Sequence, residues 1–122
     1  MLFTTTMRFV LSPERRGEGL RALRAFVGPL SVRPACAGYS ILMDVEEEGA
    51  YLLVERWRSI EALQRHIQSD RFRKLLALME MTERRPEFKL ESVQPVEGIE
   101  LLTLIRGVEG FIAESGVEEK AT

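Results

Sequence analysis

The spacing of apolar residues along this chain switches between a period of two and a period near 3.6. The order of those switches narrows the fold more than any other feature. Residues 2–11 are rich in β-branched and aromatic types and hold no breaker, which predicts a strand. Ser12-Pro13-Glu14 offers a capping serine and a proline at the first helical position. Leu20, Leu23, Ala25, Phe26 and Val27 then recur at helical spacing, weakened early by Gly17 and Gly19 and ended by Gly28-Pro29. Tyr39, Ile41, Met43 and Val45 alternate with Ser40, Leu42 and Asp44, and a second alternating run covers residues 51–57. The charged turn Glu46-Glu47-Glu48-Gly49 joins them as a hairpin. Ser59 is placed to cap a helix over 59 to about 82. Its stripes Ile60-Leu63-Ile67 and Phe72-Leu75-Leu76-Met79 are out of phase, since Ile67 to Phe72 is an advance of about 500° at roughly 100° per residue. Ser69-Asp70 sits at the phase break, so a kinked or broken helix is expected. Phe88, Leu90 and Ser92 alternate with Lys89, Glu91 and Val93 in a last strand that stops before Pro95.

Strand, helix, strand, strand, helix, strand is the ferredoxin-like β-α-β-β-α-β order. It predicts an α+β domain over residues 1–97, with a four-stranded antiparallel sheet and both helices on one face. Both phases of the third strand are apolar, with Leu52 and Val54 opposite Tyr51, Leu53 and Trp57. A sheet apolar on two sides with helices for only one predicts a partner, most simply a homodimer through the open face. Residues 98–122 form a C-terminal docking segment. Leu101, Leu104, Ile105, Val108 and Ile112 have helical spacing there, a strand over 99–105 is the competing expectation, and 115–122 are expected to fray.

Composition excludes several classes. At 122 residues the chain has room for one domain with a core. Seventeen basic against nineteen acidic residues leave no basic footprint for nucleic acid. No apolar run suits a membrane helix, and the first eleven residues lack the charge pattern and cleavage site of a secretory signal. The expectation is a cytoplasmic protein. One cysteine, Cys36, makes neither an internal disulfide nor a cysteine-based zinc site.

Three short stretches carry a resemblance. Pro34-Ala35-Cys36-Ala37-Gly38-Tyr39 leads into the second strand, Glu55-Arg56-Trp57 ends the third, and Ser59, Leu63, His66, Ser69 and Phe72 are spaced along the broken helix. Together they resemble the antibiotic biosynthesis monooxygenase family, which includes quinol monooxygenases, although Ala35 replaces the usual glycine. The resemblance implies a dimeric α+β barrel. It implies oxidation of quinols, anthrones and related electron-rich aromatics by molecular oxygen, in many members without metal or flavin. The expected cofactor is therefore none. Haem-degrading relatives carry a histidine where Leu76 stands and an asparagine near Thr4 or Thr5; this chain has no asparagine, so haem chemistry is not expected.

The residues themselves leave two readings open. His66, the only histidine, is a general base at neutral pH or a structural group beside the buried helix face. Trp57 is a catalytic pocket residue, as the resemblance implies, or a core anchor. Glu55 shares its strand face and serves either as a buried base or as an ion-pair partner for an arginine. Tyr39, Tyr51 and Phe72 complete the expected substrate pocket, or simply pack. Arg65, Arg71, Arg73, Arg84 and Arg85 read as a solvated helix face, and Cys36 as a small buried hydrophobe. The function expected is a cofactor-independent monooxygenase of small aromatics. The alternative is a non-catalytic dimeric module that binds a small apolar ligand.

Overall fold

The computed structural model describes residues 1–107. Strands β1 (Leu2–Val10), β2 (Cys36–Met43), β3 (Ala50–Trp57) and β4 (Glu87–Val93) form one antiparallel sheet in the order β2-β3-β1-β4. Helices α1 (Arg16–Val27), α2 (Ile60–Ile67) and α3 (Asp70–Leu78) lie on one face, and α4 (Gly98–Arg106) follows β4. This is the ferredoxin-like α+β arrangement that the order of periods predicts. The core fills the space between sheet and helices: Met7, Phe9 and Leu11 from β1 and its end, Leu53 and Trp57 from β3, and Leu23, Phe26, Leu63, Phe72 and Leu75 from the helices.

The broken helix is two helices. Ser69 caps α3, its hydroxyl accepting the N–H of Phe72, and Ser59 caps α2 by accepting that of Ala62. Short 3-10 turns extend α1 over Gly28–Val32 and α3 over Met79–Met81.

Helix α1 begins later than its serine and proline suggest. Leu11 is still held by the sheet, its N–H donating to Gly49 O at 2.9 Å. The chain must turn through residues 12–15 before helix can start, and Arg15 at the cap position gives no side-chain bond. Gly19, which costs helix propensity, has a packing reason. A Cβ there would lie 2.7 Å from a methyl of Leu11.

The segment after β4 is helix, not strand, over Gly98–Arg106; Val108, Ile112 and residues 115–122 lie outside the described residues. The open sheet face is more mixed than a two-sided apolar reading. Leu42, Leu52 and Val54 form its apolar centre, flanked by Thr4, Thr6, Arg8 and Arg56, with Lys89 and Glu91 on β4. No helix over 1–107 is long and apolar enough to cross a membrane.

Candidate functional site

Alternation along β3 points Glu55 and Trp57 to the helix side, and both are fully buried. The cap at Ser59 sets the rotation of α2 so that Ala62, Leu63 and His66 face the sheet. His66 is thus at the centre of the buried face, with no exposed surface, while Ile67 is turned outward. The carboxylate of Glu55 ties the three residues together. Its Oε1 accepts the Trp57 indole N–H at 3.0 Å and stands 3.0 Å from His66 Nε2. The second approach is close in distance but poorly aligned, so neither ring nitrogen of His66 has a well-directed hydrogen-bond partner. Such orphaned buried atoms are uncommon. Trp57, Phe72 and Phe26 wrap the imidazole at ring separations of 4.5, 5.4 and 5.6 Å.

Phe72 faces two ways. Its ring packs against His66, and it also lines a cavity of about 410 Å³ between α2, α3 and the start of β4. Met7, Ile67, Leu76, Met79 and Phe88 supply most of the rest of that groove, and Arg85 is its only charged lining residue among the described residues. The groove is open because no helix among the described residues covers β4, whose helix-side residues Phe88 and Leu90 are exposed.

Tyr39 joins the cluster, since β2 pairs it with Glu55 on the same sheet face. Tyr51 does not. It sits four residues before Glu55, roughly 13 Å along the strand, and packs on Phe9 near the hairpin. Glu55 takes no arginine; its partners among the described residues are Trp57 and His66. Two arginines expected on a solvated face have other work: Arg85 lines the groove, and Arg84 pairs with Glu47. The acidic turn is answered by cations, Glu47 and Asp44 by Arg8 at 2.7 and 3.0 Å and Glu48 by Arg16 at 3.3 Å. Burial pushes the Cys36 thiol up, in keeping with a small hydrophobe. Among the described residues no three His, Cys, Asp or Glu side chains stand together as a metal site. Leu76, the position matched to the histidine of haem-degrading relatives, presents an alkyl wall to the groove.

Phe26 and most of the groove escaped the sequence. Phe26 was legible only as a member of an apolar helical stripe. The groove gathers residues from β1, α2, α3 and β4 that no local spacing relates.

The sequence profile of the family described as antibiotic biosynthesis monooxygenase matches residues 2–78. No curated protein matches the chain. Several solved structures are similar. A conserved protein of Methanosarcina mazei Go1 has 18% identity and a TM-score of 0.71, over 77% of this chain and 94% of its own. A Mycobacterium tuberculosis protein has 22% identity and a TM-score of 0.70, over 79% and 98%. A cofactor-independent oxygenase from Streptomyces nogalater has 14% identity and a TM-score of 0.67, over 78% and 95%. At these identities the likeness is one of fold.

Proposed function

Because the chain belongs to the antibiotic biosynthesis monooxygenase family, we propose that it is a monooxygenase whose groove beside Phe72 holds a small electron-rich aromatic. The fold neighbour described as a cofactor-independent oxygenase supports the same direction. The substrate class is a quinol or anthrone, and the oxidant is molecular oxygen. The reaction balances without a further reductant: an anthrone CH₂ that takes up O₂ and loses water becomes a carbonyl, the substrate supplying all the electrons.

One observation carries the reading: an imidazole with unsatisfied nitrogens lies directly behind the aromatic wall of an apolar groove. A dry wall of Phe72, Leu76, Met79 and Phe88 keeps water from a reactive carbanion or phenolate. His66 is the base that takes the substrate proton, reached when the Phe72 ring turns aside. Trp57 does not line the groove; it acts through Glu55, which faces the imidazole. Tyr39 extends this polar end of the cluster.

The working unit of this reading is a homodimer through the open sheet face, where Leu42, Leu52 and Val54 have no covering layer among the described residues. Sedimentation at micromolar concentration should give a dimer, and a monomer there would sink that assembly.

The test of the chemistry is oxygen uptake by metal-free, flavin-free protein with reduced naphthoquinols and anthrones, corrected for autoxidation. Uptake should fall about 10²-fold or more in His66→Phe if the imidazole is the base. Wild-type uptake in that variant would remove His66 from the mechanism.

The complete burial of His66 favours a second reading, a module that holds an apolar ligand without changing it. A ligand that co-purifies and survives aerobic incubation unaltered would decide for it.

A further inference from the structure

Helix α4 and the groove are two apolar surfaces left open among the described residues. On α4, Leu101, Leu102, Leu104 and Ile105 fall within an arc of roughly 160° at about 100° per residue, and all four are exposed. Thr103 lies on the opposite side, its hydroxyl donating to Ile99 O at 3.0 Å. The helix is a finished element. Gly107 closes it at φ 70°, its N–H donating to the carbonyls of Thr103 and Leu104. A nine-residue helix is marginal alone in water and needs a surface for its apolar face. The groove needs the converse. Ile67, Leu76 and Phe88 stand exposed at its rim, and Leu90 continues the apolar strip along β4.

Charge says which copy supplies the helix. Among the described residues the only charge lining the groove is Arg85, just before β4. The acidic residues of α4, Glu97 and Glu100, are at its N-terminal end, and Arg106 is at the other. In the same chain, α4 leaves from the far end of β4 through the link 94–97. Val93 lies roughly 17 Å along the strand from Phe88. Folding back would run α4 antiparallel to β4, carrying Arg106 toward Arg85 and leaving Glu100 beside Leu90. A helix from another molecule is not tied to the far end of this β4 and can bring its acidic end to Arg85. The described residues accord with this, since neither surface covers the other among them.

We infer that in the homodimer each α4 lies across the groove of the partner, with its Glu97–Glu100 end toward Arg85. Twofold symmetry makes the contact twice. β4 is an edge strand, so a helix leaving its end can pass round the sheet to the helix side of the other subunit. The roof of the groove then comes from the partner, and the site is incomplete in one chain. This rests on the dimer proposed above and not on the oxidation chemistry.

Cross-linking tests it without turnover. In a Cys36→Ser background, one chain carries Leu76→Cys and a second, size-tagged chain carries Leu104→Cys. Both positions are surface leucines, 51% and 76% exposed, so folding is not at stake. The chains are mixed and treated with a short bismaleimide. The expected product is the mixed, tagged–untagged species in excess over either like pair. A cross-link formed only within one chain, in the variant carrying both cysteines, would overturn the exchange. So would the absence of a mixed product from protein that sediments as a dimer. Independently, Leu101→Glu with Leu104→Glu in the full chain should weaken dimerisation by about tenfold or more. An unchanged dimer constant would overturn it.

Discussion

Glu55 and His66 are where stability and function separate most clearly. Removing the partner of a buried hydrogen-bonding group costs about 1–3 kcal/mol, more where a charged group is involved, because the group left behind has no compensation. Replacing both by apolar residues of similar size is often neutral or stabilising. Glu55→Ala should therefore lower stability by about 2 kcal/mol or more, since the buried Trp57 indole N–H would lose its acceptor. The double variant Glu55→Gln, His66→Phe keeps an acceptor for that N–H and should melt within a few degrees of the wild type, yet lose oxygen uptake. Thermal melts on the three proteins check this, and a double variant as unstable as Glu55→Ala would show the pair to be structural. The sequence made this cluster half legible. Alternation along β3 put Glu55 and Trp57 on one face, but helical phase placed His66 only at the flank of its stripe. The cap at Ser59 and the outward turn of Ile67 brought it to the centre.

The joint between α2 and α3 shows how an element boundary builds a site. Ser69 Oγ accepts the Phe72 N–H at 3.2 Å and donates to His66 O at 2.6 Å. One hydroxyl thus ends the helix that carries the imidazole and starts the helix that carries its aromatic cover. Ser69→Ala should cost about 1 kcal/mol as a lost cap, and urea unfolding measures it. The out-of-phase stripes were enough to find this joint, because a phase break in a continuous helix would turn one stripe to solvent. The start of α1 was not found, because Ser12 and Pro13 are a good local signal overruled by a distant bond, Leu11 N–H to Gly49 O. That bond makes the β2–β3 hairpin a place where only glycine fits. Gly49 has φ 85°, and a Cβ there would lie 2.6 Å from Leu11 O. Gly49→Ala should lower stability by about 2 kcal/mol or more from the left-handed backbone and the collision together. A variant melting with the wild type would mean that the hairpin shifts without cost.

At the scale of the molecule, the open sheet face, the acidic hairpin turn and the loop before β4 are joined by charge. Arg8 reaches from the sheet to Asp44 and Glu47, and Arg84 reaches Glu47 from the other side. Nothing in local sequence relates positions 8, 44, 47 and 84, which is why the run of glutamates reads from sequence only as a charged turn. The bonds hold both carboxylates below their ordinary values of 3.8 and 4.5. For Asp44 the Glu46 backbone N–H is the larger cause and Arg8 the next; for Glu47 it is Arg8 and then Arg84. A carboxylate whose pKa is lowered by folding contributes stability that is fully present above its unfolded value and is lost as pH falls through its folded value. Glu47→Gln removes that contribution at every pH. The variant should therefore be less stable than the wild type at pH 7 and at pH 5.5. The gap should close below pH 4.5, as the wild-type carboxylate takes up its proton. High salt should narrow the gap at pH 7 as well, because the pairs are open to solvent and screened. Urea unfolding of both proteins from pH 7 down to pH 3 reads it directly. A gap that stayed constant across that range would mean that Glu47 acts by packing in the turn and not by its charge.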